Sequence, residues 1–276
     1  MAASAQTASE SVTIKADAFN YDLIVETPDA VQDLPSGIPD DHMCQRVAQG
    51  CLDELGLEGT GIPDECEEDF ATADGHVYKL MPYDANNAIV IQSNADGASA
   101  TIDFESPVDA GKYNTIGLIA VSHLGDYYPQ ADITLHYADG TTEVVTKEIV
   151  DWCQNPGGSY PAPLASFTHR VRPTNSNADQ AHVEGTANFF HEITLPISKD
   201  VVGLTVKNNV VASHEWGWPV IVVMAATAFQ DESASIQHVE DAATTADGAI
   251  YNVAGQRVST TQQGLYIQSG RKFVRR

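Results

Sequence analysis

Basic residues are scarce in this chain. It carries 14 Lys and Arg against 38 Asp and Glu, a formal net charge of -24 at pH 7. An electrostatic field of this sign repels the phosphates of nucleic acids and the surfaces of anionic lipid membranes. The composition therefore argues against nucleic acid and membrane surfaces as partners.

Long apolar runs are also missing. No stretch approaches the roughly 18 to 20 uninterrupted apolar residues that a membrane-spanning helix needs. The opening MAASAQTASES lacks the charged segment followed by an apolar segment that is typical of an export signal. We expect no membrane insertion and treat residues 1–10 as a tag or unstructured start. With 43% hydrophobic residues, the remaining chain is long enough to bury a core.

Cysteine is rare, with only Cys44, Cys51, Cys66 and Cys153. Their spacings of seven, 15 and 87 residues include no closely spaced pair of the kind most zinc sites use. A zinc site is therefore not expected. Four cysteines allow three disulfide connectivities, and four free thiols are the alternative. The residues alone leave both open.

Short β-branched runs separated by Gly, Asn, Asp and Pro dominate the body of the chain. They are ASATIDFES, YNTIGLIAVSH, ADITLHYADGTTEVVTKEIV, FFHEITLPI, VVGLTVKNNV and PVIVVMAATAF. Asp139-Gly140, between two alternating segments, predicts a β-hairpin. Such strands, with little helix between them, predict an all-β fold, an antiparallel β-sandwich over residues 11–230.

One segment has the period of a helix. In DDHMCQRVAQGCLDELGL the apolar residues fall on one helical face. They are Met43, Val47, Cys51, Leu52 and Leu55. The pattern predicts one inserted helix over residues 40–56.

The composition changes near the C-terminus. No acidic residue follows Asp247, whereas five of the 14 basic residues lie in the last twenty positions: Arg257, Arg271, Lys272, Arg275 and Arg276. The preceding residues 231–246 are small, polar and acidic, which is typical of a flexible linker. We therefore predict a linker at 231–246 and a separate module at 247–276. Charge alone leaves an alternative interpretation, in which the basic tail only makes the chain more soluble.

This C-terminal segment, GAIYNVAGQRVSTTQQGLYIQSGRKFVRR, alternates short strands with turns and ends in a hairpin, the pattern of a small all-β module. It resembles the C-terminal sorting modules (type IX-like) of proteins secreted by Bacteroidetes. The matching residues are Tyr251, Asn252, Gly255, Gln256, Arg257, Val258, Gly264, Leu265, Tyr266, Ile267, Gly270, Arg271 and Lys272. The resemblance implies a secreted or cell-surface protein whose tail contacts the export machinery.

Residues 65–230 contain an ordered set of short motifs, whose residues are Gly75, Tyr78, Leu80, Pro82, Tyr137, Ala138, Asp139, Gly140, Asp151, Trp152, Cys153, Leu195, Pro196, Asn208 and Asn209. In these residues the body resembles the galactose-binding-like β-sandwich modules of bacterial glycoside hydrolases. The resemblance implies a jelly-roll sandwich that binds a polysaccharide or oligosaccharide, or that braces an adjoining catalytic domain. No cofactor is implied.

Sugar binding needs flat aromatic faces together with a few fixed polar groups. The segment HEWGWP supplies both directly before an apolar strand, and GDYYPQ and NPGGSYPAP are two further Gly- and Pro-rich segments with aromatics. The predicted ligand-binding residues are His214, Glu215, Trp216, Trp218, Tyr127, Tyr128 and Tyr160. The alternative is that these rings pack at the rim of the core. Trp152, which follows apolar Ile149 and Val150, is predicted to lie in the core.

Other functions stay open. A glycoside hydrolase needs two carboxyl groups about 5 to 10 Å apart, and Glu215 with Asp126 or Glu184 would be the candidates, with His214 as a base. His182 and Glu184 are otherwise expected to be solvated. A structural or adhesive surface protein is a third class.

A structural calcium ion has candidate ligands near the N-terminus. They are Asp17, Asn20 and Asp22, but no twelve-residue calcium loop is present. Solvated surface acids are the alternative interpretation of these three residues.

Overall fold

The computed structural model describes residues 9–29, 45–123, 130–153, 162–172, 182–211, 213, 218–231, 250–252, 257–258, 264–268 and 271–275. The chain divides into two compact units, 1–230 and 231–276. Antiparallel strands make up most of the described residues, and the predicted all-β sandwich is confirmed. Its jelly-roll connectivity stays a prediction.

The first unit contains fifteen described strands. They are β1 (Ser9–Val12), β2 (Ile24–Val25), β3 (Gln45–Val47), β4 (Phe70–Ala71), β5 (Val77–Tyr78), β6 (Ile89–Gln92), β7 (Ala98–Val108), β8 (Thr115–His123), β9 (Gln130–Tyr137), β10 (Thr142–Glu148), β11 (Ala165–Arg172), β12 (His182–Phe190), β13 (Glu192–Pro196), β14 (Val201–Asn208) and β15 (Val220–Phe229). The unit also contains a short helix, α1 (Gln49–Glu54), and 3₁₀ turns at Ala16–Ala18 and Asp64–Glu67.

Two sheets form the sandwich. In the central sheet β15 pairs with β8, β8 pairs with β13, and β1 and β6 share the other edge of β15. The facing sheet has the order β10-β9-β14-β7. Alternate residues of both sheets bury their side chains between them, including Ile116 and Leu118 on β8 and Leu204 and Val206 on β14. Burial of this apolar surface is the main favourable term in folding.

A third layer covers the outer face of the central sheet. Every residue of β8 and of β15 is buried, so neither face of these strands meets solvent. A small sheet of order β12-β11-β3-β2 packs over the outer face, with α1 beside it. Continuous apolar runs are typical of strands buried on both faces. The sequence predicted two sheets, and the structure adds this layer.

The helix is shorter than predicted. Residues 45–47 of the predicted span 40–56 form β3, and α1 covers only Gln49–Glu54. The strand prevails because Arg46 pairs in register with Ile24 of β2 and with Arg170 of β11. The first part of the span, including Met43 and Cys44, lies outside the described residues.

The prediction of an unstructured start is wrong at residues 9 and 10, whereas the predicted hairpin is present. Ser9 and Glu10, which fall within the predicted unstructured start, belong instead to β1 and pair with Phe229 and Ala228. The predicted hairpin at Asp139-Gly140 is confirmed as the turn between β9 and β10. Gly140 takes a positive φ of 81°, which favours glycine, and the Thr141 amide donates to Asp139 Oδ1.

The second unit is a small antiparallel sheet. Its strands are β16 (Ile250–Asn252), β17 (Arg257–Val258), β18 (Gly264–Gln268) and β19 (Arg271–Arg275), in the order β17-β16-β18-β19. Strands β18 and β19 form the final hairpin, with Gln268 opposite Arg271. Within the described parts of the chain, no helix is long and apolar enough to cross a membrane.

Candidate functional site

Strand register brings several chain segments to one end of the central sheet. His123, the last residue of β8, lies opposite Val220, the first residue of β15. On the other side of β15, Val220 lies opposite Gln92, the last residue of β6. The residues to which segments 124–129 and 212–219 are joined, His123 and Val220, are therefore neighbours in the sheet.

A third segment starts at the same end. Asp151 forms a parallel bridge with Ser122 on the β13 edge of β8, beyond the residues that pair with β13. The Ser122 amide donates to the Val150 carbonyl at 2.9 Å, and the Trp152 amide donates to the Ser122 carbonyl at 3.0 Å. Cys153, which precedes segment 154–161, is therefore next to the end of β8. We call this region the loop end, defined by Gln92, His123, Cys153 and Val220.

The predicted ligand-binding residues lie in the three segments that join at the loop end. His214, Glu215, Trp216, Tyr127, Tyr128 and Tyr160 lie outside the described residues. Trp218 is described and is half-buried, directly before Pro219 and Val220. The structure thus brings together the residues that flank these three segments, and of the predicted aromatic rings it describes that of Trp218.

Backbone contacts fix the entry into β15. The Pro219 carbonyl accepts one hydrogen bond from the Ser93 amide at 2.9 Å and another from Asn208 Nδ2 at 3.0 Å. Ser93 and Asn208 are both buried. The residue after Trp218 is therefore tied to β6 on the same sheet and to β14 on the facing sheet.

Beneath the loop end, Trp152 stacks with cationic side chains. The guanidinium carbons of Arg46 and Arg170 lie 4.6 and 5.1 Å from the Trp152 ring centroid, and the His123 ring stacks at 5.6 Å. Cation–π contacts of this kind gain strength when they are shielded from water. The prediction that Trp152 lies in the core is confirmed, since it is 5% exposed.

Sequence reasoning missed the two arginines of this cluster. Arg46 falls within the predicted helix, yet it is completely buried in β3. Arg170 in β11 has no predicted role, and its guanidinium donates to Glu184 of β12. The alternation of residue types in ASFTHRVR could have indicated the strand β11. No local rule, however, says which of its polar residues will face Trp152.

Only one of the three acids proposed for catalysis, Glu184, lies within the described residues. Glu184, expected to be solvated, is instead half-buried in β12 and forms an ion pair with Arg170, because the sequence HVEGTANFF is a strand rather than a loop. His182 is exposed. Asp126 and Glu215 lie outside the described residues.

The described cysteines are free thiols. Cys51, Cys66 and Cys153 form no disulfide, and Cys44 lies outside the described residues. Loss of hydration raises the pKa of Cys51 and of Cys66 to about 11. The same effect, with the charge of Asp151, raises the pKa of Cys153 to about 12. Since the thiolate is the reactive form, these shifts lower the reactivity of the three thiols at neutral pH.

Two of the three calcium candidates have hydrogen-bond partners within the protein. Asn20 exchanges hydrogen bonds with the backbone of Val90, and Asp22 accepts one from Asn87. Asp17 is exposed in the first 3₁₀ turn. Among the residues that the structure describes, no three His, Cys, Asp or Glu side chains are grouped so as to hold a metal ion.

A second polar cluster lies on the outer face of the central sheet, away from the loop end. Glu192 Oε1 accepts a hydrogen bond from the Tyr78 hydroxyl at 2.5 Å and lies 2.8 Å from His76 Nδ1. The His76 ring stacks on Phe229 with centroids 3.7 Å apart. Burial, followed by the Glu192 charge, raises the pKa of Tyr78 well above its usual range. This cluster attaches the β4–β5 hairpin to the sheet.

Comparison with known proteins assigns no family. No protein-family model matches the chain, and no curated protein matches it significantly.

Proposed function

We propose that this protein is a secreted, non-catalytic carbohydrate-binding protein whose binding site is the loop end. The observation that supports the proposal most is the strand register, in which His123, Val220 and the Asp151–Cys153 segment are neighbours. The segments that join at these residues carry five aromatic side chains: Tyr127, Tyr128, Tyr160, Trp216 and Trp218. Flat rings at one end of a rigid sandwich suit the apolar faces of sugar rings.

Charge narrows the proposed ligand to a neutral glycan. The segments at the loop end contain Asp96, Asp126 and Glu215, and no Lys or Arg occurs in 93–97, 124–129, 154–161 or 212–217. The two arginines nearby, Arg46 and Arg170, are committed to Trp152 and Glu184. With a chain charge of -24, a polysaccharide rich in uronate or sulfate would be repelled.

Secretion is the second part of the proposal. The resemblance of residues 251–272 to sorting modules supports it, and the basic hairpin β18–β19 would be the part that contacts the export machinery. A secreted glycan-binding protein needs no cofactor for this role.

The experiment is affinity electrophoresis and calorimetric titration against neutral and acidic polysaccharides, with release of reducing sugar assayed in parallel. We expect binding to at least one neutral glycan, weaker or no binding to acidic ones, and no release of reducing sugar. Release that is lost in Glu215→Gln would instead show a glycoside hydrolase. Absence of binding to every glycan would leave a structural or adhesive role.

The test of the site is Trp218→Ala. Loss of one stacking ring should weaken binding by roughly 1 to 3 kcal/mol, by analogy with aromatic stacking platforms. Because Trp218 is only half-buried, we expect the melting temperature to change little. Tyr251→Ala is the matched control, since it removes an exposed ring from the second unit. Early melting of Trp218→Ala with wild-type binding would show that this ring is part of the core rim.

A further inference from the structure

Asn208 joins the two sheets of the sandwich at the loop end. It is the last residue of β14 in the facing sheet and is completely buried. Its Nδ2 donates to the carbonyls of Ile91 and Pro219, at 3.3 and 3.0 Å. Both acceptors belong to the central sheet or to its entry. Its Oδ1 accepts from the Val210 amide at 3.2 Å, so the whole amide is used.

The chemistry of these contacts requires a donor. Two carbonyl oxygens converge on one nitrogen, and a carbonyl can only accept hydrogen bonds. An amide supplies two N–H groups to them and still offers an oxygen to Val210. Asn208 thereby holds the chain on both sides of the segment 211–218, through Val210 before it and through Pro219 after it.

We infer that Asn208 is the positioning residue of the loop end, which fixes where Trp218 stands without touching the ligand. The inference rests on the proposed function for its effect on glycan affinity. Its effect on the surroundings of Trp218 is independent of any ligand, because the contacts that carry it are all within the protein.

The variant that tests this is Asn208→Asp. Aspartate has the same shape, but an ionised carboxylate donates no hydrogen bond and would face two carbonyl oxygens. Pro219 and Ile91 would then lose their shared donor. Asn208→Ser is the milder variant, since its hydroxyl can donate one bond.

The matched control is Asn87→Asp. Asn87 is also completely buried, and its Nδ2 likewise donates to backbone carbonyls, those of Tyr83 and Ala85. Its Oδ1 accepts from Leu23 and Ile24 in the third layer, away from the loop end. Asn87 Nδ2 also donates to Asp22 Oδ1, so Asn87→Asp sets two carboxyl groups against each other and should lose at least as much stability as Asn208→Asp. An effect on Trp218 should nevertheless occur only in Asn208→Asp.

The experiment uses full-length protein labelled with 5-fluorotryptophan, with the Trp218 fluorine resonance assigned by Trp218→Phe. We expect Asn208→Asp to shift or broaden the Trp218 resonance and to leave Trp152 as in the wild type. Asn208→Ser should give a smaller change of the same kind, which keeps the test decisive if the aspartate variant does not fold. Asn87→Asp should leave the Trp218 resonance unchanged.

Affinity for the neutral glycan is the second measurement. We expect the affinity to fall about ten-fold in Asn208→Asp, which is the effect of losing one hydrogen bond that holds the site in place. In Asn87→Asp it should stay at the wild-type value. A wild-type Trp218 resonance in both Asn208 variants, or an equal shift in Asn87→Asp, would overturn the inference. Failure of the wild-type protein to bind any glycan would refute the proposed function alone, since the resonances still decide the role of Asn208.

Discussion

Substitution of Gly117 by alanine should destabilise the sandwich through a defined collision. Gly117 lies in the middle of β8, and a Cβ atom there would be 2.6 Å from the Tyr78 hydroxyl and 2.9 Å from Glu192 Oε1. On the neighbouring strand, Thr227 Cγ2 would also be 2.9 Å away. Since Tyr78 is completely buried, its hydroxyl has no room to withdraw into solvent.

The magnitude follows from three terms. Overpacking of a filled core costs about 1 to 3 kcal/mol. Displacement of the Tyr78–Glu192 hydrogen bond, which involves a charged group, costs about 1.5 to 3 kcal/mol. Replacing glycine in an extended strand returns about 0.4 to 1 kcal/mol by restricting the unfolded chain. The net loss is about 3 kcal/mol, so the melting temperature should fall by about 10 °C for a unit of this size.

The assay is thermal unfolding of Gly117→Ala beside a control, Gly185→Ala. Gly185 lies in β12, and its nearest neighbour to an added Cβ is His169 Nε2 at 3.9 Å, so its alanine variant should melt as the wild type does or slightly above it. Adding Tyr78→Phe to Gly117→Ala removes the closest atom, and the double variant should lose less stability than the sum of the two single variants. A Gly117→Ala protein that melts at the wild-type temperature would refute the reasoning.

Two further predictions concern pH and the C-terminal unit. Burial raises the pKa of Asp22 to about 6 from 3.8, so the folded protein binds more protons than the unfolded chain between about pH 4 and 6, and stability falls as pH rises through that window. The melting temperature of Asp22→Asn, measured relative to that of the wild type, should therefore rise as the pH is raised from 4 to 7. A difference in melting temperature that is the same at both pH values would contradict the raised pKa of Asp22. Truncation after Gln230 should leave the unfolding of the first unit within about 2 °C of the full chain, and a fall of more than about 10 °C would show that 231–276 is no detachable module.

Strands and turns were predictable because their signals are local. Alternation in ADITLHY and the Asp139-Gly140 turn depend on residues that are neighbours in the chain, and both are present as predicted. The helix prediction over 40–56 was wrong at 45–47 because the helical spacing of Val47 and Cys51 also suits a strand followed by a turn of helix. Pairing of Arg46 with β2 and β11, which are distant in sequence, decided between them.

The sequence by itself determined that the chain is acidic, rich in strands and supplied with aromatics in three Gly- and Pro-containing segments, since each property depends on residue type and near neighbours. Only the tertiary structure decided which segments meet. The register of His123 against Val220, and the bridge from Ser122 to Asp151, join strands that are about thirty to a hundred residues apart in sequence. The donor role of Asn208 and the burial of Arg46 likewise depend on partners that are distant in sequence, Ile91 and Trp152 respectively. Such long-range pairings follow from the packing of the whole core, which no local pattern specifies.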